Sequence, residues 1–145
     1  MWLTRLLGMT AALMAVSACV RPEGVIVKDA WVRATVPGQE VAGAYMRLTS
    51  AQDAKVIGAD SRIAKTVEFH ATTMDNNVMR MHRVPTLDLP AGQTVALTPG
   101  GLHIMLVGLS TPLRRGESVP LTLHTLDAQG KETAIELNAA VRDFN

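Results

Sequence analysis

The chain has 145 residues, with 14 Lys and Arg against 13 Asp and Glu, one Cys, and only 3% aromatic residues. That length suits one domain rather than two, and the balanced charge lacks the basic footprint of a nucleic-acid partner. A lone cysteine also excludes an intramolecular disulfide and an intramolecular dithiol couple.

The N-terminus reads as an export signal. Arg5 supplies a positive n-region, residues 6–16 an apolar h-region, and Val16-Ser17-Ala18 small residues ahead of Cys19. The apolar run is well short of the roughly twenty residues of a membrane-spanning helix. Its close resembles a bacterial lipobox, so residues 1–18 are expected to be a cleaved lipoprotein signal. Cys19 would then carry a lipid, residues 19–24 would form a tether, and residues 25–145 one domain. The expected location is the bacterial periplasm, with the chain held to a membrane. Removing residues 1–18 takes away only Arg5, leaving 13 basic and 13 acidic residues.

From there, patterning predicts strands. Residues 25–34 are rich in β-branched residues and stop at Pro37-Gly38, with Trp31 expected in the core. Residues 41–49 form a second strand with Met46 packed inside, and residues 54–59 a third. Residues 66–70 form a short strand with Val67 and Phe69 on one face and Glu68 and His70 on the other, placing His70 at a strand end. Residues 71–77, which include Met74, read as a loop because Asp75-Asn76-Asn77 are turn formers. The next strand, residues 78–84, puts Met79 and Met81 on one face and Arg80 and His82 on the other. Residues 85–92 are a connection, residues 93–97 begin another strand, and Pro99-Gly100-Gly101 is a turn.

In residues 102–106, Leu102, Ile104 and Leu106 share one face, and His103 and Met105 the other. Residues 113–117 form a polar turn. Residues 119–126 form a strand whose His124 is expected to be structural or solvated. Residues 127–130 are a hairpin turn, residues 132–137 a strand, and residues 138–145 a short strand or tail. Eight or nine short strands without helical periodicity predict an all-β fold, an antiparallel Greek-key sandwich or barrel.

The chemistry-bearing residues are His70, His103 and Met105, joined by Met79 or Met81, between which strand periodicity does not choose. Neutral imidazole and thioether sulfur suit soft Cu(I), whereas Mg²⁺ and Ca²⁺ need carboxylate oxygens that this set lacks. The absence of a second cysteine excludes a blue-copper centre in the body of the fold, and thioether-rich Cu(I) sites resist redox cycling. An enzyme or electron carrier is therefore not expected.

The stretch L-P-A-G-Q-T-V-A-L-T-P-G-G-L-H-I-M-L-V-G-L, residues 89–109, resembles the periplasmic copper chaperone family PCu(A)C. The likeness extends over most of the chain beyond Cys19, including residues 30–33 and 113–123. The family's spacing of His, ten residues, Met, twenty-one residues, His, one residue, Met is matched by His70, Met81, His103 and Met105. The resemblance thus selects Met81 over Met79, and implies a cupredoxin-like fold holding one Cu(I) per chain. It further implies delivery to a copper-accepting subunit of cytochrome c oxidase during assembly, or to another periplasmic copper carrier. The alternative is a copper-sequestering protein without dedicated delivery. Some relatives bind a second copper on a Met- and His-rich C-terminal tail. Residues 141–145 lack those residue types, so a second high-affinity site is not expected.

Overall fold

Two-residue alternation of apolar and polar side chains produces ten strands in a computed structural model that describes residues 23–144. The expected signal and the lipid site at Cys19 lie outside the described residues. The strands are β1 (Val25–Arg33), β2 (Val41–Ser50), β3 (Ala54–Asp60), β4 (Ala64–Asp75), β5 (Val78–Val84), β6 (Leu87–Leu89), β7 (Thr94–Leu97), β8 (Leu102–Leu109), β9 (Ser118–Asp127) and β10 (Glu132–Arg142). Among the described residues there is no helix, and so none long and apolar enough to cross a membrane.

The strands run in the order β5-β4-β8-β2-β1-β10-β9-β3-β6, with β7 sharing the β8 edge of β2. Every ladder is antiparallel except β1 with β10, which is parallel and joins the two halves of the fold. The sheet curls so that both halves bury one cluster, including Val32, Ala44, Met46, Leu48, Val56, Phe69, Ile104, Leu106, Leu121, Leu123 and Val141. The fold is all-β, of the Greek-key, cupredoxin-like kind. By register, the β4–β5 turn, the end of β2 and the start of β1 all lie toward the same end of the sheet.

Four elements depart from the sequence reading, each for a local reason. β4 does not stop at His70; it runs to Asp75, so Met74 lies on a strand rather than in a loop. The turn is only Asn76-Asn77, both at positive φ (47° and 61°), the geometry of a tight hairpin that asparagine tolerates. β6 lies within the stretch between Pro85 and Pro90 that reads as a connection; three residues suffice to bury Leu87 and Leu89 against β3. β10 is continuous to Arg142 because its last residues pair with β1. Finally, Trp31 is not a core residue. Asp29 sits at φ 54° in a register shift between Lys28 and Trp31. That bulge exchanges the faces of β1, turning Val32 inward and leaving Trp31 half-buried on the outside, beside Tyr45.

Candidate metal centre

The outer face of β5, β4 and β8 carries the candidate ligands, and its geometry makes His70 the hub. His70 lies directly opposite His103, with ring centroids 6.0 Å apart. Met105 is a diagonal neighbour of His70 on β8, since it pairs with Glu68 two residues away. Met81 is the corresponding diagonal neighbour on β5, where it pairs with Thr72. Such diagonals are separated by about 7–8 Å between Cα atoms, within reach of long side chains. Met79 pairs with Met74, a further two residues along, and so lies about 13 Å from the His70 row at the usual strand rise. His70, His103, Met105 and Met81 are thereby brought onto one patch, and Met79 and Met74 stand outside it.

Hydrogen bonds fix which nitrogen of each ring is free. His103 Nδ1 lies 2.9 Å from the Gly101 carbonyl, which can only accept, so in the neutral ring Nδ1 carries the proton and Nε2 the lone pair. The same carbonyl accepts from the Thr72 backbone N–H, at 3.2 Å, so the turn that ends in Gly101 is tied to β4 as well as to His103. His70 Nε2 lies 2.9 Å from Glu68 Oε2. The bond from His70 holds the Glu68 carboxyl below the usual carboxylate range, and the Arg83 guanidinium 3.7 Å away adds to this while burial opposes it. An ionised Glu68 can only accept, so His70 Nε2 is the donor and in the neutral ring the lone pair sits on Nδ1. That Nδ1 is buried without a hydrogen-bond partner. A buried acceptor left unmade costs about 1–3 kcal/mol, which a metal bond would recover.

An aromatic wall closes the inner side. His103 is only 4% exposed, and Tyr45 packs beside it with ring centroids at 6.3 Å, backed by Trp31 at 4.6 Å from Tyr45. Gly43 makes this possible, because a Cβ there would collide with the Tyr45 hydroxyl lying over it, next to Met105. Burial also raises the Tyr45 pKa, so the phenol stays neutral. The opposite side is open: Met105 is half-buried, but Met81 is 54% exposed. The arrangement can hold a soft cation on two imidazole nitrogens and two sulfurs, dry on one flank and accessible on the other. Among the described residues, no three His, Cys, Asp or Glu converge.

Sequence reasoning missed Glu68, Tyr45, Gly43 and Trp31 as parts of this site. Glu68 was within reach, since it shares the His70 face two residues away; the others depend on β2 and β1 lying next to β8. His82 is exposed on the opposite face of β5, and His124 bonds to Asp60 at 2.6 Å far from the patch, as expected of solvated or structural histidines. Met46 is core at 1% exposure.

Comparison with known proteins gives a consistent picture. Residues 25–137 match the family model described as "Putative lipoprotein LpqE-like". A protein of Leifsonia xyli subsp. xyli described as a putative lipoprotein is 34% identical over 146 residues, covering 97% of this chain and 86% of its own. Among solved structures, the copper-bound PCuAC domain from PmoF2 superposes with a TM-score of 0.66 at 26% identity, over 86% of this chain and 97% of that one. The Cu(I) form of DR1885 from Deinococcus radiodurans does so with a TM-score of 0.60 at 33% identity, over 81% and 77%.

Proposed function

We propose that this chain, which belongs to the LpqE-like family and is similar in structure to PCuAC domains, is a periplasmic copper chaperone. It binds one Cu(I) through His70 Nδ1, His103 Nε2, Met81 and Met105. The observation that carries this reading is the buried, unpartnered His70 Nδ1, with His103 directly across from it and a methionine on each diagonal. Copper here is cargo. A neutral ligand set leaves the ion its single positive charge, with no thiolate to trap it. Exposed Met81 favours delivery over sequestration, because an acceptor can replace ligands one at a time from that side. The proposed acceptor is a copper-binding subunit of cytochrome c oxidase or another periplasmic carrier. Lipidation of Cys19 would hold the chain at a membrane. Anaerobic Cu(I) titration of the protein and its four single alanine variants tests stoichiometry and ligand identity together; undiminished binding in all four would overturn the reading.

Two further results are expected. Glu68 positions His70 through Nε2, and loss of such an outer partner typically costs about 10- to 100-fold in metal affinity. Glu68→Ala should therefore weaken Cu(I) binding to that extent in competition with a chromophoric chelator, and Glu68→Gln, which keeps an acceptor, should lose less. Copper affinity should also be lower in mild acid than at neutral pH, because protons compete with the ion for the two ring lone pairs. Glu68 does not drive that response, since its lowered pKa keeps it ionised there. Equal affinity at about pH 7.5 and about pH 5 would mean that the two histidines are not both ligands.

A further inference from the structure

Four of the five methionines among the described residues lie on the outer face of β5, β4 and β8, and the fifth, Met46, is in the core. Met105 and Met81 flank the metal centre. Met74 and Met79 serve no packing purpose, each being 64% exposed. They are cross-strand partners one pair inside the Asn76-Asn77 turn. A two-residue hairpin closes on a hydrogen-bonded pair, here Asp75 with Val78, so Met74 and Met79 occupy the next, non-hydrogen-bonded position. There the Cα atoms approach to about 4.5 Å and the side chains are closest. Met81 follows Met79 on the same face and is the diagonal neighbour of Met74. Three thioethers thus form a contiguous ladder leading from the His70 row to the tip of the hairpin. Sulfur is confined to this face; the other carries Thr73, Arg80 and His82.

Resting on the chaperone reading above, we infer that Met74, Met79 and Met81 form an outer thioether site for Cu(I), through which the ion enters and leaves the His70–His103 centre. Met81 belongs to both sites. In the outward step the bonds from copper to His70, His103 and Met105 break and bonds to Met79 and Met74 form, while the Met81 sulfur stays attached. Copper remains Cu(I), no electron moves, and no proton needs to move because thioethers carry none. Lacking imidazole and built from side chains more than half exposed, the outer site is the weaker and more labile of the two.

The test uses the full-length protein. Wild type is titrated with Cu(I) first; failure to bind there would count against the chaperone reading itself. In Met74→Leu/Met79→Leu, which keeps apolar bulk and removes sulfur, equilibrium affinity should stay within about twofold, since Leu and Met exchange conservatively. The rate of Cu(I) transfer to a bidentate chromophoric chelator should fall about tenfold, equivalent to about 1.4 kcal/mol of barrier. In His70→Ala/His103→Ala, Cu(I) should still shift the side-chain methyl resonances of Met74, Met79 and Met81 but not that of Met46. An unchanged transfer rate in the leucine variant would make the ladder an apolar docking face and overturn the inference. So would unshifted Met74 and Met79 methyls in the histidine variant.

Discussion

Replacing His103 by alanine should lower Cu(I) affinity by more than about a hundredfold, the upper end of what loss of an outer-shell partner alone costs. His103 is the most enclosed of the four proposed ligands, its neutral tautomer, with the lone pair on Nε2, is set by the Gly101 carbonyl, and its ring centroid lies 6.0 Å from that of His70. Alanine removes that lone pair and leaves His70 Nδ1 still unpartnered, with only two flexible thioethers beside it. His82→Ala and His124→Ala are the controls: one faces the other side of β5 and the other is occupied with Asp60. Both should bind copper as the unaltered protein does. Competition against a Cu(I) chelator reads all three, and a His103→Ala protein of native affinity would remove the centre from this face altogether.

Ile104→Ala should destabilise the copper-free protein by about 2–5 kcal/mol, the range for truncating a buried isoleucine to alanine. Ile104 is fully buried and lies between His103 and Met105 with its side chain on the opposite face of β8. It therefore fills the core beneath the two positions that carry ligands. Urea unfolding should show a lower midpoint with an unchanged slope, the mark of lost stability rather than altered compactness. Copper should restore part of the loss, about 2.7 kcal/mol at a free concentration one hundred times Kd. A loss below about 1 kcal/mol would mean that the core collapses around the gap and that β8 is less firmly held than its packing indicates.

The sequence was most legible where strand periodicity alone sufficed. Leu102, Ile104 and Leu106 fall on one face of β8 and His103 and Met105 on the other, as alternation demands. It was less legible where the outcome depended on a neighbour. Thr72 to Asp75 continue β4 only because β5 pairs with them, and turn residues cannot say how late a hairpin closes. Trp31 follows the periodicity of Val25 and Val27 into the core until the bulge at Asp29 reverses it. Between Met79 and Met81 strand periodicity alone did not choose; the family spacing pointed to Met81, and the register shows which of the two lies nearer the His70 row. With a two-residue turn, the residue opposite His70 is Arg83, and its inner diagonal is Met81. The interval of ten residues between His70 and Met81 is thus a measure of hairpin length, and the interval between His70 and His103 a measure of the β4–β8 register.

The sheet register has a consequence for where cargo is exchanged. The methionine-bearing tip of the β4–β5 hairpin and the first residue of β1 run toward the same end of the sheet. From Cys19 to Val25 the chain can extend no more than about 20 Å at the reach of a fully stretched backbone. Were Cys19 lipidated, as proposed, this end of the sheet, on so short a leash, would be the one turned toward the lipid headgroups. Copper would change hands in a thin layer next to the bilayer, and a recipient must offer its ligands at that height rather than deep in the aqueous compartment. Lengthening the leash should then slow exchange with a membrane-bound recipient while leaving exchange with a dissolved one untouched.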